Sequence, residues 1–126
     1  MISRRQLLQM SLTALPAIGP SMAQAQSGKP IRMIVAASAG ATVDVTARFI
    51  SVELAKALGV SIIVENRPGA GGAIGSDAVA KSPADGLTLL FTGITHFAAR
   101  YSGEVSTTYD PVKDFSGVAK VASAAL

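Results

Sequence analysis

The strongest constraint on this chain is a change of period between residues 31 and 58. Ile31-Arg32-Met33-Ile34-Val35-Ala36 is a short run rich in β-branched and apolar side chains, with too little polar surface to leave one face in water. It stops at the small-residue segment Ala37-Ser38-Ala39-Gly40-Ala41-Thr42, after which Val43, Ala47, Ile50, Leu54 and Leu58 recur every three or four residues. Asp44 in the first turn, Lys56 in the last and Gly59 just beyond mark both ends of an amphipathic helix. A strand buried on both faces and followed at once by such a helix belongs to a parallel sheet covered by helices on each side, with right-handed crossovers.

The same alternation continues. Val60 to Val64 reads as a second strand, Gly71 to Lys81 as a second helix, and Pro83-Ala84-Asp85-Gly86 as a turn into a third strand, Leu87 to Thr92. The fold class is therefore α/β, built as β-α-β-α-β. Beyond it, Phe97 to Thr108 lacks periodicity, Tyr109 to Phe115 reads as a turn with a short helical start, and Gly117 to Ala122 as a fourth strand. If the strands lie in the order 2-1-3, a crevice opens between the carboxyl ends of strands one and three. That topology brings Ala37–Thr42 beside Gly93–His96 and makes the gap between them the default ligand site.

Composition narrows the partners. The chain is 49% hydrophobic and 15% charged, which suits a packed core rather than disorder. Residues 1–25 read as an export signal: Arg4 and Arg5 lead a weakly apolar stretch, and Ala23-Gln24-Ala25 places small side chains where a signal peptidase cuts. Ser3-Arg4-Arg5-Gln6-Leu7-Leu8 also resembles a twin-arginine signal, with Leu7 where that motif prefers Phe, so both export routes stay open. The expected location is the periplasm. Removing Arg4 and Arg5 lowers the formal charge of +3 to +1, and the remaining basic residues stand singly, with no stripe to follow a phosphate backbone. No nucleic-acid partner is expected. With no cysteine there is neither disulfide nor thiolate metal site, and with His96 the only histidine no metal centre is expected.

The loop 38–42 precedes a helix, so its amides gather at the positive end of the helix dipole behind side chains too small to block approach. It reads either as a seat for a carboxylate or as an ordinary turn with Thr42 capping the helix. Asp44 would repel a free anion there but suits a ligand that also offers a donor or a bridging water. Ala36-Ala37-Ser38-Ala39-Gly40 falls one residue short of a G-x-S-x-G elbow, which raises a serine hydrolase using Ser38, Asp85 and His96 as the alternative. Asp85 stands at the wrong end of its strand for that role. Gly69-Ala70-Gly71-Gly72-Ala73-Ile74-Gly75 misses the dinucleotide fingerprint at Ile74, and no cofactor is expected. Its glycines read instead as positive-φ positions and close helix–sheet contacts; the alternative is that Asn66 to Gly72 forms one wall of the crevice.

Several stretches in combination resemble one family. They are Lys29-Pro30-Ile31-Arg32-Met33-Ile34-Val35; Gly40 through Asp44-Val45 with Ala47-Arg48; Val64-Glu65-Asn66-Arg67-Pro68-Gly69-Ala70-Gly71-Gly72 with Ile74-Gly75; and Tyr109-Asp110-Pro111-Val112-Lys113-Asp114-Phe115. The chain resembles the start of the substrate-binding receptors of tripartite tricarboxylate transporters, the Bug family. The resemblance implies a periplasmic binding protein of two α/β lobes that close over a small carboxylate and hand it to a membrane permease, without catalysis. By position it implies ligand contacts at Ser38, Gly40, Ala41, Thr42 and Asp44 in the first loop, and at Thr95 and His96 in the third. Two places depart from the family pattern. Ala36–Ala41 replaces a Pro-rich loop and gives up its rigidity, and Ala99-Arg100 replaces Asn-Pro, leaving Arg100 as either a cation for the ligand or a solvated residue. Residues 26–126 are expected to form an incomplete first lobe that binds its acid weakly or not at all.

Overall fold

A computed structural model describes residues 28–101 and 107–123 of the chain, excluding the side chains of residues 99 and 100. The export signal read at residues 1–25 and the side chain of Arg100 lie outside the described residues. Three strands, β1 (Ile31–Val35), β2 (Ile62–Asn66) and β3 (Thr88–Phe91), pair in parallel in the order β2-β1-β3. The fold is α/β, with the 2-1-3 strand order expected from the habit of doubly wound sheets.

β1 occupies the centre because both of its edges are paired: Val35 lies opposite Asn66 on one side and Phe91 on the other. Its successive side chains point to opposite faces, and Met33, Ile34 and Val35 are all buried, so both faces must be covered. Helix α1 (Thr42–Leu58) covers one face, where Ala47 joins Met33 and Val35 in a core extended by Val43, Leu54, Val64 and Leu89. The helix ends at Gly59, whose amide bonds the Ala55 carbonyl. A 3-10 turn (Ala70–Gly72) and helix α2 (Ala73–Ala80) cover the other face.

The approach of α2 to the sheet is close enough to exclude a side chain. A Cβ on Gly75 would stand 2.9 Å from the Arg67 carbonyl oxygen and 3.0 Å from Cα of Ala36, both backbone atoms that cannot swing aside. Gly72, at φ +92°, packs likewise against the carbonyl of Ala36 and the hydroxyl of Thr95. The Gly-rich segment thus serves contact between helix and sheet, as its sequence suggested.

Two expectations for the tail need correction. Where no periodicity was visible, Thr95–Tyr101 forms helix α3. Where a fourth strand was expected at Gly117–Ala122, the chain runs outside the sheet with Val118 81% exposed. Apolar composition does not make a strand without a neighbour to share its backbone bonds. The segment 109–115 is a turn held by its own aspartates: Asp110 Oδ1 accepts from the amides of Val112 and Lys113, and Asp114 Oδ2 accepts from that of Asp110. Tyr109 and Phe115 then fold onto Ala73 and Ala80 as a second apolar cluster. No helix among the described residues is long and apolar enough to cross a membrane.

Candidate functional site

The loop between β1 and α1 is organised by Asp44, which is only 3% exposed. Its Oδ2 accepts the Gly40 amide at 2.8 Å and its Oδ1 accepts Nδ2 of Asn66 at 2.8 Å, while Nε of Arg48 lies 3.0 Å away. These donors hold its carboxyl at a pKa of about 2, well below the ordinary 3.8; the Gly40 amide contributes most, then Asn66, then Arg48, against the opposing effect of burial. Asn66, at the end of β2, also donates to the Ala37 carbonyl and accepts from Nη2 of Arg48. One carboxylate and one carboxamide thereby tie the exits of β1 and β2 to the first turns of α1.

Thr42 does not cap the helix. The capping position is Ala41, in extended conformation and without a side-chain bond, because the loop reverses one residue earlier through the Ala41 amide bonded to the Ser38 carbonyl. The first intrahelical bond runs from the Val45 amide to the Ala41 carbonyl, so the amides of Thr42, Val43 and Asp44 belong to the unpaired first turn of the helix. Ser38, Gly40 and Thr42 are exposed beside them and Ala41 is half-buried.

A cleft of about 780 Å³ opens at the carboxyl ends of β1 and β3, and both Thr42 and His96 line it. Of the two loops that topology placed together, the first borders this space through Thr42 and the third through Gly93, Ile94 and His96, whereas Ser38, Gly40, Ala41, Asp44 and Thr95 are not among its lining residues. Much of the remaining lining is apolar, including Val43, Leu90, Phe91 and Ile94. Thr95 is exposed and abuts Gly72.

His96 is 5% exposed, and both of its ring nitrogens have protein partners. Nδ1 lies 2.9 Å from Oγ of Ser76 on α2, itself fully buried, and Nε2 lies 3.3 Å from the carbonyl oxygen of Pro111. The ring stacks on Tyr109 and meets Phe97 and Phe115 edge to face. Burial pushes its pKa below the ordinary 6.5, with the Pro111 carbonyl pulling the other way, so the imidazole is neutral near pH 7. The serine hydrolase triad does not assemble. Asp85 accepts the Leu87 amide in the turn at the amino end of β3, and the serine that meets His96 is Ser76, not Ser38. Sequence order had allowed the triad; the direction of β3 forbids it.

Residues 46–126 match the family described as the tripartite tricarboxylate transporter family receptor, and the chain belongs to that family. A UPF0065 protein of Bordetella bronchiseptica is 43% identical over 120 residues, which cover 95% of this chain and 36% of that relative. Protein BugT of Bordetella pertussis is 48% identical over 73 residues, covering 58% of this chain and 22% of BugT. The solved periplasmic binding protein BugD is 39% identical over 48% of this chain and 20% of its own, at a TM-score of 0.47. The chain spans about a third of the length of the curated relatives it matches over most of its residues.

Proposed function

We propose that this chain carries the first-lobe wall of a solute-binding receptor that delivers a small organic carboxylate to the permease of a tripartite transporter. The observation that carries this reading is the unpaired first turn of α1, where Thr42 and Val43 line the shared cleft and their amides, with the Thr42 hydroxyl, offer donors to an anion. Asp44 is no obstacle, because Gly40, Asn66 and Arg48 already compensate its charge. The apolar side chains of Leu90, Phe91 and Ile94 suit the hydrocarbon part of such an acid.

Family membership supports the receptor role, and the Arg4-Arg5 head supports export to the periplasm. In this reading residues 1–25 are removed on export, and residues 26–126 form the opening part of the first lobe. The further length of the relatives corresponds to the second lobe and the return to the first. The stretch has a binding role and no catalytic one. With one wall present and without the Pro-rich rigidity of related loops, it binds its acid weakly or not at all by itself.

The test is a titration of the 15N-labelled chain with citrate, succinate and adipate, each paired with its uncharged ester. Small shifts of the amides from Ser38 to Asp44, caused by the acids and absent with the esters, are the expected result. Shifts caused by sugars or phosphates instead would overturn the carboxylate reading. Micromolar affinity in calorimetry would overturn the claim of weak binding.

A further inference from the structure

The Ser76–His96–Pro111 contact joins three segments. Ser76 belongs to α2, His96 to α3 and Pro111 to the turn after it, and all three residues are buried. The chemistry of the partners fixes the proton. A carbonyl oxygen can only accept, so Nε2 must carry the hydrogen it shares with Pro111. In a neutral ring Nδ1 is then a lone pair, and the Ser76 hydroxyl must donate to it. For the neutral ring the direction of both bonds follows.

The backbone carries this arrangement to the cleft. The His96 amide bonds the Gly93 carbonyl, and the amides of Phe97 and Ala98 bond that of Ile94, so the ring's position sets the rim at 93–95. Pro111 and Phe115, held by the same ring, line the same space.

We propose that His96 is a positioning residue that locks the rim 93–95 and the turn 109–115 into one rigid wall through its two directed hydrogen bonds, and that it does not itself contact the ligand. The inference deepens the reading of the cleft and rests on it for its functional sense. Both measurements below are made without ligand, so a failure to bind acids leaves them intact.

Long-range 15N–1H correlation of the wild-type imidazole at pH 7 is expected to show a neutral ring protonated at Nε2. Protonation at Nδ1, or a charged ring, would overturn the proposal. Hydrogen exchange then separates directed bonding from mere filling of space. His96→Gln keeps a donor that reaches toward Pro111 but loses the aromatic ring, whereas His96→Phe keeps the ring and loses both bonds. Expected is exchange faster by roughly tenfold or more at the amides of His96, Phe97, Ala98 and Asp114 in the Phe variant, with the Gln variant within about threefold of wild type. Equal protection in the Phe variant and wild type would show that the ring acts by its shape, and loss in the Gln variant as large as in the Phe variant would show that bonding alone does not hold the wall; either would overturn the proposal. Should the Phe variant not fold, the wild-type tautomer decides alone.

Discussion

The two sides of the cleft are built on opposite electrical plans. On the α1 side, a buried carboxylate is stabilised by an amide, a carboxamide and a guanidinium, and stays charged down to a pH of about 2. On the α3 side, a buried imidazole is held neutral among Tyr109, Phe97 and Phe115. Both arrangements tie a loop to a neighbouring element at similar distances, yet one does so with charge and the other without it. The difference lies in what surrounds each group. Asp44 sits where amides point inward at the start of a helix, and charge is welcome there; His96 sits among rings, where charge would lose its water without finding a counter-ion.

The comparison breaks most completely at the position both sides share. Gly75→Ala forces a methyl group against the backbone of Ala36, which leads into the Asp44 loop, and against Arg67, while moving the helix that carries Ser76. The expected loss is about 3 kcal/mol, read from the midpoint of urea unfolding. His96→Phe strikes only the neutral side. It leaves the Ser76 hydroxyl and the Pro111 carbonyl buried without their partner, for an expected loss of about 2 kcal/mol in the same assay. Asn66→Ala strikes only the charged side and removes donors to Asp44 and Ala37 from a half-buried position, for about 1 kcal/mol. If the two plans are independent, a double variant at 66 and 96 adds its two losses within about 0.5 kcal/mol.

Acidification should separate the two sides by pH. The folded pKa of His96 is depressed, so the unfolded chain binds a proton first; stability is complete above 6.5 and declines as pH falls below it. Asp44 also has a depressed pKa, but as an acid its contribution is complete above 3.8 and is lost only as pH falls toward 2. Between pH 7 and 5, the protection of the His96 and Phe97 amides, taken relative to the intrinsic exchange rate at each pH, should fall while that of the Gly40 amide is kept. Loss of the Gly40 amide first would reverse the assignment.

Local pattern carried most of the sheet. The β-branched runs and the spacing from Val43 to Leu58 gave three strands and the long helix, since a covered parallel sheet leaves its apolar requirements in plain order. The strand order was expected from the habit of doubly wound sheets and not from any single residue. Helix α3 was hidden because its described anchor is His96, a polar residue that adds nothing to an apolar stripe. The fourth strand was read from composition that a sheet edge did not take up. At the site, the meeting of Thr42 and His96 was legible from chain direction alone. The partners of Asp44 and His96 were not, because Asn66, Ser76 and Pro111 lie 22, 20 and 15 residues away, and no spacing rule links them.

Pro111 offers His96 a main-chain oxygen, not a side chain. Replacing that proline by another amino acid would keep a carbonyl there, but would add a buried N–H and take away the ring that fixes the bend. The tautomer of the ring is thus written into the backbone, where point mutation cannot erase it, and the vulnerable partner in the pair is the serine on the other side.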